Sequence, residues 1–121
     1  MAKSNTIYRV ELCYKIGHLF VFASFHSIKL IVPQDGWMRT AERQNELFNE
    51  GKSRLDGYKE KSMHQLGRAV DIAIIDEDGE VINDYGDHPH YEKLGKFWEE
   101  SMGGQWGGNF EGFRDVFHFQ Y

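Results

Sequence analysis

The chain has 121 residues, 40% of them hydrophobic and 27% charged, the size of one domain and the composition of a folded globule with its own core. A modular assembly, a disordered chain and a fibre are excluded on that basis. The net charge of -5, from 14 Lys+Arg against 19 Asp+Glu, is wrong for a nucleic-acid binder, and the single cysteine, Cys13, rules out both an internal disulfide and a cysteine zinc cluster.

Tyr8, Leu12, Ile16, Leu19 and Ala23 recur at helical spacing and predict a helix with one stripe against a core. Cys13 falls in it and reads as a buried, inert thiol. The apolar run from Ile16 to Val32 is interrupted by His18, His26 and Lys29, so it does not predict a membrane span. Glu11 precedes the run and no small-residue cleavage site follows it, so no secretory signal is read here. From His26 the pattern becomes alternation, with Ile28, Leu30 and Val32 on one face of a strand. Pro33, Asp35 and Gly36 then form a turn.

Thr40 caps a second helix running to about Glu50, with Gly51 past its end and with Leu47 and Phe48 as its anchors. Residues 51 to 62 read as a polar loop. Arg68 to Ile75 carries the strongest strand signal, continued through the turn Asp76 to Gly79 into a short return strand at Val81 and Ile82. Tyr91, Leu94, Phe97 and Trp98 predict a third helix stopped by Gly103 and Gly104. A Gly-rich aromatic stretch leads to a last alternating segment, Val116 to Tyr121.

Chemistry concentrates in Ser62-Met63-His64-Gln65-Leu66-Gly67-Arg68-Ala69-Val70-Asp71. A carboxylate in a strand of Val, Ile and Ala is costly to bury without a cation or donors, so Asp71 needs a partner. That partner could be a metal, or simply Arg39 or Arg68. A second cluster is Asp115-Val116-Phe117-His118-Phe119. Two histidines, one aspartate and a water would suit an open four-coordinate zinc site, with Asp115 left to move protons. His88-Pro89-His90 is a competing pair, read as an exposed loop because of Pro89 and the acidic residues before it. Asp76 to Gly79 has the wrong spacing for a calcium loop, the glycines from Gly103 to Gly108 lack a P-loop lysine, and His-Glu-x-x-His is absent.

Together the two clusters resemble the zinc peptidases of the superfamily that unites D-Ala-D-Ala carboxypeptidases, lysostaphin-type enzymes and the hedgehog domain. The shared Ser-x-His-x-x-Gly-x-Ala-x-Asp is matched by Ser62, His64, Gly67, Ala69 and Asp71. Asp-x-x-His-Phe is matched by Asp115, His118 and Phe119, and an upstream Arg-Thr followed by Gln is matched by Arg39, Thr40 and Gln44. The resemblance runs from about residue 37 to the end. It is closest to the phage-endolysin L-alanyl-D-glutamate peptidases, through Gly103 to Trp106 and through Asp115, where D,D-peptidases carry Glu. Phe117 departs from the proline found there in many endolysin relatives, which bears on loop shape and specificity.

The resemblance implies an α+β fold, a small antiparallel sheet carrying a zinc site with helices around it, in a single catalytic domain spanning residues 1–121. It implies zinc on His64, Asp71 and His118, Asp115 as proton carrier, and Arg39 on the oxyanion or a substrate carboxylate. Gln44 and Ser62 are implied as substrate contacts or as supports of the residues that make them, and Trp106 as a substrate-binding cleft-wall residue or as part of the core. The expected partner is the peptidoglycan stem peptide, cut between L-Ala and D-Glu by a monomer that neither binds nucleic acid nor inserts into a membrane. Such a protein would be made in the host cytoplasm and act on the wall after release. Alternatives are a D-Ala-D-Ala carboxypeptidase on the same scaffold and a zinc-stabilised binding module of the hedgehog kind. Because the substrate is acidic and the chain is too, Arg39 is expected to do the recruiting.

Overall fold

The computed structural model describes residues 2–83 and 88–121. Helix α1 spans Asn5–Phe25 and starts where the Ser4 hydroxyl accepts the Ile7 N–H. Leu12, Ile16, Leu19 and Ala23 are buried, as their spacing predicts, whereas Cys13 is exposed. The reading of Cys13 as buried is therefore corrected: it lies off the core stripe. Strand β1 is Leu30–Ile31, and α2 is Ala41–Asn49, capped by the Thr40 hydroxyl.

The predicted strand over 68–75 divides in two. β2 is Ala69–Asp71 and β3 is Ala73–Ile74. β3 pairs antiparallel with β1, while β2 joins β5 (His118–Gln120) and β4 (Gln105–Trp106) in a sheet ordered β2-β5-β4. The division falls at Ile72, whose N–H still donates to the Phe117 carbonyl at 2.8 Å in the β2–β5 register, after which Ala73 and Ile74 pair with β1 instead. The expected return strand is reduced to a bridge between Ile75 and Val81.

Helix α3 covers Pro89–Met102 and ends on Gly103 in the left-handed region, φ 72°. His88 caps its start and His90 lies in its first turn, so this pair belongs to a helix end and not to the loop expected there. The acidic residues just before His88 fall outside the described residues. The core lies between α1, α3 and the sheets: Leu12, Ile16 and Leu19 meet Val70, Ile72, Ile74, Leu94, Trp98 and Phe119. Tyr91 anchors α3 by accepting the Ile74 N–H at 2.9 Å and donating to the Ile82 carbonyl at 2.8 Å. The α+β expectation holds, with two small antiparallel sheets in place of one. Among the described residues, no helix is long and apolar enough to cross a membrane.

Candidate metal centre

The sheet register brings the two sequence clusters together. β2 and β5 run antiparallel with Asp71 directly opposite His118. His64 arrives from a tight turn in which its N–H donates to the Ser62 hydroxyl at 3.1 Å and Ser62 N–H donates to Gln65 Oε1 at 2.9 Å. Gly67 closes that turn at φ 69°, and a side chain there would run into Arg9. His64 Nε2 then lies 3.1 Å from Asp71 Oδ1, and His118 Nδ1 lies 3.6 Å from the same oxygen. Among the described residues these three form the one cluster able to offer a metal three ligand atoms.

The donor set fits zinc. Zinc bonds of about 2.0–2.2 Å to nitrogen and oxygen give a tetrahedral edge of ~3.3 Å; the two separations from Asp71 Oδ1 straddle it, and all three ligand atoms lie within 4.8 Å of one another. The outer nitrogens are also fixed. His64 Nδ1 lies 2.8 Å from the Trp37 carbonyl, which can only accept, so Nδ1 carries a proton and Nε2 is the nitrogen turned towards Asp71 and a metal. His118 Nε2 lies 2.7 Å from Gln120 Oε1, leaving Nδ1 to face Asp71. Gln120 is oriented in turn by donating its amide N–H to Gln105 Oε1 at 2.7 Å.

Burial alone would raise the Asp71 carboxyl, but the hydrogen bonds and charges of His118 and His64 outweigh it and hold it well below the usual range. Burial pushes His118 down, and its bonds to Asp71 and Gln120 more than reverse that, raising it. Asp115 is raised, first by burial and then by the Asp71 charge. That carboxyl is held in place where Oδ1 accepts the Phe117 N–H at 3.1 Å. Gly107 carries no side chain because one would strike the Asp115 carbonyl and the His118 side chain.

These groups lie in an open cleft of about 650 Å³ lined by Arg39, Ser62, His64, Asp71, Asp115 and His118, and farther out by Lys52, Arg54, Phe110 and Phe113. Arg39 does not stand there as a lone cation. Its Nη2 donates to Asp71 Oδ2 at 2.9 Å, Nε to the Asp35 carbonyl and Nη1 to Gln44 Oε1. Of the five N–H bonds of a guanidinium, one on each Nη remains uncommitted. Arg39 thus holds Asp71 in place, and Lys52 and Arg54 are the other Lys or Arg residues lining the cleft.

Gln44 and Trp106 lie away from the cleft lining as buried supports, the other reading left open for each. Gln44 is 0% exposed, its amide donating to Ser53 Oγ and the Leu55 carbonyl. It is the buried residue of α2 in place of Leu47 and Phe48, the latter 42% exposed. Trp106 is also in the core: its ring lies where side chains on Gly95 and Gly108 would be, and its Nε1 donates to the Val116 carbonyl at 2.8 Å. Ser62 does line the cleft, but its hydroxyl supports the His64 backbone. Sequence reasoning missed Gln120 and Trp37. Gln120 follows His118 by two along a strand and so shares its face, a readable signal. A main-chain carbonyl such as that of Trp37 leaves none.

A family model described as D-alanyl-D-alanine carboxypeptidase matches residues 56–121. The chain belongs to this peptidase family. The matched segment carries His64, Asp71, Asp115 and His118, while Arg39 and Gln44 lie upstream of it. The fold is similar to that in the crystal structure of the Serratia marcescens L-Ala D-Glu endopeptidase ChiX, with TM-score 0.59 and 24% identity over 77% of this chain and 66% of that one. This chain therefore spans just under two thirds of that protein. Comparison with curated proteins finds no match.

Proposed function

We propose that this peptidase is a zinc-dependent peptidoglycan peptidase that hydrolyses the L-Ala–D-Glu bond of the stem peptide, in the manner of an endolysin. The observation that carries the reading is the convergence of His64 Nε2, Asp71 Oδ1 and His118 Nδ1 at an open cleft with Asp115 beside them. His64, Asp71 and His118 would hold the zinc, which when bound supplies Lewis-acid activation of water and of the scissile carbonyl. Asp115 accepts the attacking water's proton at its carboxylate and hands it to the departing amine. Its raised pKa suits that exchange. Arg39 orients Asp71 through their 2.9 Å ion pair, and its two uncommitted N–H bonds can steady the developing oxyanion.

The fold likeness to an L-Ala D-Glu endopeptidase supports this choice of bond. The family model's description supports a second reading, D-Ala-D-Ala carboxypeptidase. A hedgehog-like binding module needs neither Asp115 nor Arg39 at its cleft, and both are present. The catalytic unit is read as residues 1–121, made in the host cytoplasm and acting on the wall after release. Digestion of purified peptidoglycan with the zinc-loaded protein, followed by mass analysis, separates the readings. New amino-terminal D-glutamate is the expected product; released D-alanine would establish the carboxypeptidase, and intact substrate with bound zinc the binding module.

A further inference from the structure

We propose that a second copy of this chain docks antiparallel along the outward face of α1, with Tyr14 of each copy seated over Gly17 of the other. This face is the opposite side of α1 from its core stripe, and it is apolar without need. Tyr14 is 73% exposed, Val21 69% and Phe25 83%, with Ile7 and Val10 about half exposed. Ile7, Tyr14 and Val21 recur every seven residues, as do Val10, Gly17 and Ser24 three places on. That is the narrow seam of a helix packed against another helix, not the face of a helix turned to water.

Gly17 decides who the partner is. A glycine in a helix interior lowers stability relative to alanine, yet nothing lies within 4 Å of where its side chain would be. Packing within the chain therefore does not require it. An antiparallel copy centred between Tyr14 and Gly17 sets Tyr14 against Gly17, Val10 against Val21 and Ile7 against Ser24, each pair formed twice about the two-fold axis. A large ring meets a gap at both crossings. A parallel copy would stack Tyr14 on Tyr14 and leave the two glycines facing a void.

The area also suits a second copy. With aromatic side chains carrying about 150–250 Å² each, the stripe exposes on the order of 600 Å² per chain, so two copies covering it fully bury at most the lower edge of the ~1,200–2,000 Å² of a specific interface. A membrane surface is the weaker occupant, because an interfacial helix needs cations on its polar rim. Arg9 and Lys15 are instead turned inward, bonded to the Leu66 and Met102 carbonyls at 2.8 and 2.6 Å. No residue of α1 lines the catalytic cleft, so such a dimer leaves both clefts open. It replaces the monomer expected from the sequence.

Sedimentation equilibrium of the full chain at micromolar concentration is expected to give twice the chain mass. Gly17→Glu should give the single-chain mass with undiminished helix content and thermal midpoint, since the site has room and glycine is the poorer helix former. Orientation is read by disulfide trapping in a Cys13→Ser background: Val10→Cys with Val21→Cys should form a covalent dimer, and Val10→Cys alone should not. The proposal is overturned by a native chain of single-chain mass, whether free or bound to anionic vesicles. It is equally overturned by a dimer that survives Gly17→Glu, or by trapping through Val10→Cys alone.

Discussion

Gln120 does for His118 what the Trp37 carbonyl does for His64: each takes the proton of the outer nitrogen and aims the inner one at Asp71. The difference is that a side chain can be removed. Gln120→Leu should therefore leave the fold intact and weaken zinc binding by about 10–100-fold, measured by competition with a chromophoric chelator; unchanged affinity would show that His118 needs no such brace. On the proposed mechanism, Asp115 and His64 separate reacting from holding. Asp115→Ala is expected to retain zinc and lose ~100- to 10,000-fold in turnover, whereas His64→Ala loses both. Near-native turnover in Asp115→Ala would remove the carboxyl from the proton path.

At the scale of elements, α3 and β4 are locked by the indole of Trp106, which occupies the space left by Gly95 and Gly108. Propensity alone says that Gly95→Ala should strengthen α3 by up to ~1 kcal/mol. The clash with the Trp106 ring outweighs this, because overpacking a dense core costs about 1–3 kcal/mol. Net destabilisation in urea unfolding is expected, and a stabilised variant would mean that the ring can move aside. Trp106 also shows where sequence reading stops. All three helices were legible from periodicity and caps, because those signals are local. Asp71 was legible because a carboxylate is costly to bury in a strand of Val, Ile and Ala, and His64, Asp115 and His118 through the motif spacing that resembles the D-Ala-D-Ala peptidase superfamily. The division of the 68–75 strand was not, since it depends on its two halves pairing with different and sequence-distant strands, Ala69–Asp71 with β5 and Ala73–Ile74 with β1. Gln44 looked like a polar group awaiting a substrate because its partners, Ser53 and Leu55, lie in a loop without pattern.

For the whole molecule, the proposed metal centre would tie stability to pH and to metal in opposite senses. His118 is raised above its ordinary value, so its contribution to the metal-free fold is complete below the unfolded pKa of ~6.5 and fades as pH rises through the folded value. Asp71 is depressed; its contribution is present above ~3.9 and is lost as pH falls through its lower folded value. The metal-free protein thus gains most from this pair between about pH 4 and 6.5. Zinc needs His118 without its proton, so proton and metal compete for the same nitrogen. The rise in thermal midpoint on adding zinc should accordingly be small near pH ~5.5 and grow towards pH ~8, as metal replaces the fading His118–Asp71 interaction. Thermal unfolding with zinc and with chelator across that range measures it, and calorimetry in buffers of different ionisation enthalpy should show proton release that increases as pH falls towards the His118 value. A zinc increment independent of pH would mean that His118 is not among the ligands.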